Sequence, residues 1–569
     1  MSHTLKKKWL LPERISDQQI QALVYNLNIL SPTAQLLIKR GLEDTVTAKL
    51  FINPKGLRFR DFKDLPGTVL AGEKIASAIK AKQLILIYGD YDVDGITSSA
   101  LLAEFIRTRG GKCEIYLPNR YADGYGLTES FVERAIALGA EWLITVDCGI
   151  KSLDEISVAK KNNLSVIVID HHTPADKLPE AEVIVNPKVS GPKELEILAG
   201  VGVTLQVVRA IAKALDEKDP EALRKFLDLV ALGTVADVVP LLGENRSLIR
   251  AGLAVIKRNE RKGLQALINK TGIEINKINA TSIAFILAPR LNSAGRMGSA
   301  QPSLELLLSN DSMLVEELAT FLDQTNNQRQ LLEKKILKEA EEQLAKLTEI
   351  PRVIVVSDSA WSQGVIGLVA ARLCEKYHRP AFVLVDNEGI LKGSARSIPG
   401  FILPQVLEKM EKLLKKWGGH AMAAGVTITV DNLSAFKEAL QVAALDLDED
   451  ELMPEIKLEL ELTLEEISLR LIREFNMLEP YGCGNPKPLI LVKKVICSES
   501  RLVGSNHLKF RVKDEKNNYL EVIGFNLGDR KSDLKDGLVI DMAGYIGENN
   551  WNNKTTLQFD LKDFRISLN

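Results

Sequence analysis

The sequence predicts an α/β protein: a doubly wound parallel sheet in a first lobe, a long bridging helix, a second α/β unit and a terminal β-barrel. Three observations predict it. Short, nearly continuous apolar runs at 84–90, 142–147, 165–170 and 182–187 alternate with helical stretches, as parallel strands covered on both faces require. The alternation resumes at 352–358 and 381–386, after a polar helical stretch from about 302 to 347. Beyond about 456, five strand-like runs separated by turn residues fit a small closed barrel of the oligonucleotide-binding class.

The elements follow in order. Residues 1–70 mix short helical patterns with polar breaks and read as an N-terminal cap. The first lobe spans 71–300, with helices at 200–270 punctuated by Gly233 and Pro240. The bridging helix covers 301–348, and its run QTNNQRQ (324–330) is placed to line a channel between the lobes or to form a solvated face. The second α/β unit occupies 349–455, with a helix ending at Trp417, then a glycine-rich turn and strand, and the acidic linker LDLDEDELMPE. The barrel fills 456–569, where Phe510, Tyr519, Phe525, Tyr545 and Trp551 offer base-stacking faces or barrel core.

The bulk numbers narrow the class. Apolar content of 46% with 26% charge is that of a soluble globular chain, and no run approaches the roughly 18 apolar residues of a bilayer span. No secretory signal is evident, so a cytoplasmic location is expected. Five scattered cysteines without paired CxxC spacing argue for reduced thiols and against a zinc site. A net charge of −2 excludes a basic envelope but not a local basic channel.

The chemistry sits at strand ends. YGDYDVDG, TVDCG, VIDHHT and TVADVVPL offer Asp90, Asp92, Asp94, Asp147, Asp170, His171, His172 and Asp237. Any one of these is explained by a solvated turn. Asp90, Asp147 and Asp170 each terminate an apolar strand, however, and open α/β sheets bind ligands beyond the carboxyl ends of their strands. Asp90, Asp92 and Asp94 alternate directly after a strand, so extended geometry would put all three carboxylates on one face. Carboxylates this close repel and raise one another's pKa unless cations intervene. Oxygen ligands with imidazole suit two Mn²⁺ or Mg²⁺ ions, with Asp147 on a central strand the candidate bridge.

These motifs, DxDxDG, the strand-end Asp, DHH and a later Asp, resemble the DHH phosphoesterase superfamily. GGHAMAAG (418–425) resembles the motif of its DHHA1 companion domain. LPNRYADGYGL (117–127), PRLNSAGRMG (289–298), KGSARS (392–397) and the terminal barrel are similar to the branch of bacterial single-strand-specific 5′→3′ DNA exonucleases. The resemblance implies a DHH domain at 71–300, a DHHA1 domain at 349–455 and an OB-fold at 456–569.

It further implies metal ligands Asp90, Asp92, Asp94, Asp147, Asp170, His171 and Asp237, with Asp170 otherwise an orienter of an imidazole. Asp92, Asp94, Asp147, His171 and His172 would be catalytic, His172 near the scissile phosphate. Arg120, Arg296, Ser394 and Arg396 would hold a terminal 5′-phosphate, and His420 would approach the strand. The implied activity is metal-dependent exonucleolytic hydrolysis of single-stranded DNA in recombination and repair. Nothing in the sequence indicates oligomerisation, so a monomer is expected; a helicase and a single-strand-binding protein are candidate partners, and no membrane partner is expected. A phosphoesterase for short oligonucleotides or cyclic dinucleotides, and a non-catalytic nucleic-acid-binding scaffold, are the competing readings.

Overall fold

The computed structural model describes residues 7–53, 59–119, 124, 126–219, 221–551 and 554–567. It opens with β1 (Lys8–Leu10), α1 (Asp17–Leu27), α2 (Ser31–Lys39), α3 (Thr45–Ile52) and α4 (Thr68–Lys80). The first lobe then runs β2 (Leu84–Gly89), α5 (Val93–Thr108), β3 (Lys112–Tyr116), α6 (Glu129–Ala137), β4 (Trp142–Val146), α7 (Leu153–Lys161), β5 (Ser165–Ile169) and β6 (Val183–Val185). All five strands are parallel, in the order β3-β2-β4-β5-β6. Side chains alternate across it: Ile85 and Ile87 join the core under α4 and α5, while Leu86 and Tyr88 join the core under α6 and α7. That two-sided burial is why the strands read as unbroken apolar runs.

Helices α8 (Gly200–Ala214), α9 (Glu221–Arg224), α10 (Leu227–Ala236), α11 (Gly243–Arg258) and α12 (Lys262–Thr271) extend the first core. α13 (Ala280–Ser282) continues through a π-helical turn at Ile283–Leu287 into α14 (Ala288–Met297). The bridging segment is two helices, α15 (Gln301–Leu308) and α16 (Ser312–Leu344), because Asp311 caps α16 by accepting from the Met313 and Leu314 amides. The first half of α16 inserts Val315, Ala319 and Leu322 into the first core; its second half inserts Ile336, Ala340 and Leu344 into the next. Between them the buried face is polar: Thr325, Asn326, Arg329 and Glu333. QTNNQRQ therefore divides into a buried and a solvated side.

The second unit contains β7 (Ile354–Asp358), α17 (Ile366–Tyr377), β8 (Ala381–Asn387), β9 (Ile390–Arg396), α18 (Leu403–Glu408), β10 (Lys416–His420), β11 (Ala423–Thr429) and α19 (Leu433–Ala443). Its sheet order is β10-β11-β9-β8-β7, parallel only between β7 and β8. The helix expected to end at Trp417 stops at Glu408; Trp417 lies in β10, half-buried against that core.

After β12 (Glu455–Lys457), β13 (Leu460–Glu461) and α20 (Leu469–Asn476), strands β14 (Ile490–Val503), β15 (His507–Lys513), β16 (Tyr519–Gly524), β17 (Val539–Trp551) and β18 (Lys554–Ile566) close a five-stranded barrel through the β14–β17 pairing. Helices α1 to α3 pack on this region: Leu23, Leu36 and Leu37 share one core with Leu471, Phe475 and Phe510, and β1 pairs with β12. The N-terminal segment thus caps the far end of the chain. Phe510 is core, Tyr519 and Phe525 are exposed and Tyr545 is half-buried; the side chain of Trp551 lies outside the described residues.

Candidate active site

The strand order reverses between β2 and β4: β3 lies on one side of β2, and β4 to β6 lie on the other. Such a switch point opens a crevice at the carboxyl ends of the two strands. Asp90 follows β2 and Asp147 follows β4, so the crevice starts with a carboxylate on each lip.

The DYDVDG acids do not share an extended face. Asp92 caps α5, accepting from the Asp94 and Gly95 amides at 3.0 and 3.2 Å, and Asp94 lies in the first helical turn. The helix starts earlier than the extended reading allowed because Asp92 is a strong cap. A Cβ on Gly95 would stand 2.4 Å from the Asp90 carbonyl oxygen, so only glycine permits this tight start.

Asp94 is buried, and its two oxygens accept from the Gly200 and Val201 amides at 2.6 and 2.8 Å, at the N-terminus of α8. Gly200 also lies under Asp147, where a Cβ would fall 2.5 Å from Oδ1. Asp147 itself adopts φ 61°, a left-handed conformation that for a non-glycine residue costs about 1–3 kcal/mol and clusters at functional sites. Asp237 terminates α10.

The DHH triplet distributes roles. The Asp170 carboxylate accepts from the Ile150, His171 and His172 amides and from His172 Nδ1 at 2.7 Å. Burial alone would raise its pKa, but the His172 contacts and backbone donors pull it down to about 2. Burial opposes the charge of His172, yet the Asp170 hydrogen bond and charge outweigh it and raise its pKa. With its oxygens so occupied, Asp170 has the geometry of the orienter, the alternative to a ligand. The His172 carbonyl is held by Asn186 Nδ2 at 2.9 Å.

His171 reaches the other acids. Its Nε2 lies 3.2 Å from Asp147, 3.5 Å from Asp237 and 3.9 Å from Asp94. Burial and then the His172 charge lower its pKa to about 3, so the ring is neutral. The acids around it move the other way. Burial, then Asp92, raises Asp94 to about 7; burial, then Asp94 and Asp92, raises Asp237 to about 9; burial, then Asp94, raises Asp147 well above its usual range.

Asp147 Oδ1, Asp237 Oδ2 and His171 Nε2 are buried without hydrogen-bond partners among the described residues. Lone pairs aimed at one another across less than 4 Å are an arrangement that cations complete. Among the described residues three overlapping sets bring one ligand atom per residue within 4.8 Å: Asp147, His171, His172; Asp94, His171, Asp237; and Asp90, Asp92, Asp147. Asp147 and His171 each serve two sets. The donors fit divalent cations that favour oxygen with some imidazole.

Across the cleft, Ser394 and Arg396 lie on β9, with Arg396 Nη1 donating to Ser394 Oγ at 3.3 Å. Ser394 is registered opposite Gly425, and Arg396 opposite Ala423, so KGSARS and GGHAMAAG are adjacent strands. A Cβ on Gly367, in the first turn of α17, would approach Ser394 Oγ to 3.0 Å. His420 is exposed at the end of β10; burial lowers its pKa first, and then the charges of Lys151, His172 and Lys188 on the first lobe. Arg296 is half-buried near the end of α14, and Arg120 lies outside the described residues, although Asn119 Nδ2 donates to the Gly298 carbonyl at 3.2 Å.

Gly200, Asn186 and Gly367 were not singled out from the sequence. Gly200 had a local signal, a small-residue helix start in AGVGV; Asn186 and Gly367 act through partners distant in the chain.

Known proteins bear on this geometry. The model of the DHH family, N-terminal domain, matches residues 84–234; that of the DHHA1 domain matches 351–444; that of the RecJ OB domain matches 458–563. The chain is 37% identical over 568 residues to the single-stranded-DNA-specific exonuclease RecJ of Bacillus subtilis (strain 168), covering 99% of this chain and 71% of that protein. It is 32% identical over 557 residues to the protein of the same description from Thermus thermophilus, covering 94% and 78%. Its fold matches the crystal structure of RecJ in complex with Mn²⁺ from Thermus thermophilus with a TM-score of 0.86 at 29% identity, covering all of this chain and 81% of that one.

Proposed function

The chain belongs to the RecJ family of single-stranded-DNA-specific exonucleases, and we propose that it releases mononucleotides from the 5′ end of single-stranded DNA during recombination and repair. The single observation that carries this reading is the convergence of Asp90, Asp92, Asp94, Asp147, His171 and Asp237 at the switch point, with orphaned lone pairs on Asp147, His171 and Asp237. These residues would hold two Mn²⁺ or Mg²⁺ ions, Asp147 and His171 each belonging to two of the donor sets. Such ions supply water activation and charge neutralisation for an in-line displacement at phosphorus.

The chain's own groups do the rest. Asp170 holds His172 toward its charged form at the cleft, where it steadies negative charge on the scissile phosphate. Arg396 and Ser394, with Arg296 and Arg120 from the first lobe, hold the terminal 5′-phosphate and so fix the end at which hydrolysis begins. His420 borders the strand from the second lobe. Residues 71–300 carry the chemistry, 301–348 and 349–455 complete the cleft, and 456–569 bind the strand by stacking on Tyr519 and Phe525. Helices α1 to α3 brace the barrel.

Among the described residues no helix is long and apolar enough to cross a membrane. The same reading takes the enzyme as a cytoplasmic monomer whose substrate is opened by a helicase and presented with a single-strand-binding protein.

The test is degradation of a long, 5′-phosphorylated, 3′-labelled single strand with Mn²⁺, beside the matching duplex. Mononucleotides from the single strand alone are expected. Rapid cleavage of dinucleotides or cyclic dinucleotides with the long strand untouched would transfer the site to the short-substrate class.

A further inference from the structure

α14 is a strut between the two halves of the site, and one of its residues has a fixed and unused donor. On one side Arg290 Nε donates to Asp323 on α16 at 2.8 Å, and Ser293 Oγ donates to the Leu322 carbonyl at 3.3 Å. On another side, Asn292 Oδ1 accepts from the Val93 amide at 3.1 Å, between Asp92 and Asp94. Gly295 packs on the same loop, where a Cβ would stand 2.9 Å from the Tyr91 carbonyl oxygen. Arg296 follows Asn292 by four residues, just over one helical turn and about 6 Å along the axis.

The orientation of the Asn292 amide follows from chemistry. A backbone N–H only donates, so the carbonyl oxygen must face Val93 and Nδ2 must turn away from the loop. No hydrogen-bond partner for Nδ2 is found among the described residues, and the side chain is half-buried. Its oxygen is anchored to the loop that carries Asp92 and Asp94, and its helix carries Arg296.

We propose that Asn292 contacts the substrate: its Nδ2 donates to a phosphate oxygen of the DNA strand between the metal loop and the 5′-phosphate pocket. One side chain then sets the spacing between the held end and the bond to be cut. This rests on the exonuclease reading above and adds a positioning residue to it.

Two variants separate the arms of the amide. Asn292→Asp keeps an oxygen for Val93 but replaces the donor with a negative charge; Asn292→Ala removes both. On a 5′-phosphorylated single strand, N292D is expected to raise KM about 10-fold, as loss of a hydrogen bond to a charged partner does. Its Mn²⁺ midpoint stays near wild type, while N292A raises KM and also shifts the Mn²⁺ midpoint upward about 10-fold. A wild-type KM in N292D overturns the contact, as does an equal loss of kcat in both variants with KM unchanged. If either variant fails to fold, a structure of the wild type with Ca²⁺ and a 5′-phosphorylated oligonucleotide decides: Nδ2 within about 3.2 Å of a phosphate oxygen is required. A wild type inactive on single strands defeats the exonuclease reading; an active wild type with an indifferent N292D defeats only this contact.

Discussion

Helices α5 and α10 carry two largely buried acid clusters, one at each end, and the two are built on opposite principles. At one end Asp94 opens α5 and Asp237 closes α10, with Asp147, Asp92 and Asp90 around them. At the other end, Glu104 lies late in α5 and Asp228 in the first turn of α10. There, Arg261 donates to Asp228 at 2.6 Å and to Glu104 at 2.9 Å, and Lys225 donates to Glu104 at 2.9 Å. Burial opposes the charge of Glu104, but Arg261 and Lys225 hold its pKa below the ordinary range. Burial outweighs Arg261 for Asp228, whose pKa rises nonetheless. Among the described residues no Lys or Arg pairs with Asp94 or Asp237, and their pKa values climb to about 7 and about 9. The same helix pair thus shows a finished ion network and an unfinished one. A buried acid answered by arginine is architecture; one left to repel its neighbours is a place for a ligand.

The comparison breaks most sharply at Asp147. Asp147→Asn is expected to lower kcat/KM by about 10³-fold or more, since metal-ion catalysis contributes several kcal/mol. The same change should raise the melting temperature of the metal-free protein at pH 8, because one of the repelling charges is gone. Retained nuclease activity would show that the set is structural.

The paired end should respond in the opposite currency. Arg261→Ala leaves buried Asp228 and half-buried Glu104 without their guanidinium, an expected loss of about 3–5 kcal/mol in urea unfolding. The fraction that remains folded should turn over at the wild-type rate. A stable variant, or a stable but inactive one, would erase the distinction between the clusters.

The effect that is smallest per unit step is a slope with pH. Asp94 and Asp237 have folded-state pKa values raised from the ordinary 3.8 to about 7 and about 9, so folding takes up protons between those limits. The stability they contribute is fully present below about pH 4 and is lost as pH rises through 7 and then 9. Metal-free protein should therefore lose about 1.4 kcal/mol per pH unit for each proton held only in the folded state. Asp170, depressed to about 2, works in the other direction only below about pH 4. Saturating Mn²⁺ should flatten the slope, because it replaces the protons. A metal-free melting temperature that rises from pH 5 to 9 would contradict the charge assignment.

The acids of the crevice were legible because their signal is local. Asp90, Asp147, Asp170 and Asp237 each close an apolar run whose period identifies a strand or helix, and a carboxylate at that position has few structural uses. Strand-end placement alone located the crevice. Local pattern failed where a cap competed with a strand: Asp92 ended extended geometry at once, and the alternating acids became a cap and a first-turn residue. It failed again at Trp417, where an apolar helical pattern stopped at Glu408 and the glycines after Trp417 form a strand edge. The His420 and Ser394 motifs were visible separately, but not that Gly425 registers beside Ser394.

By itself, the sequence determined the α/β class, the barrel, the acids and imidazoles, and the need for cations among them, because periodicity and charge are properties of neighbouring residues. Only the tertiary structure decided which acids meet. The adjacency of β2 and β4, the α8 amides that take both oxygens of Asp94, and the Asn292 bond to Val93 all join residues far apart in the chain. Such contacts depend on how packed helices and strands are placed, and hydrophobic pattern records only which faces are buried, not what they are buried against.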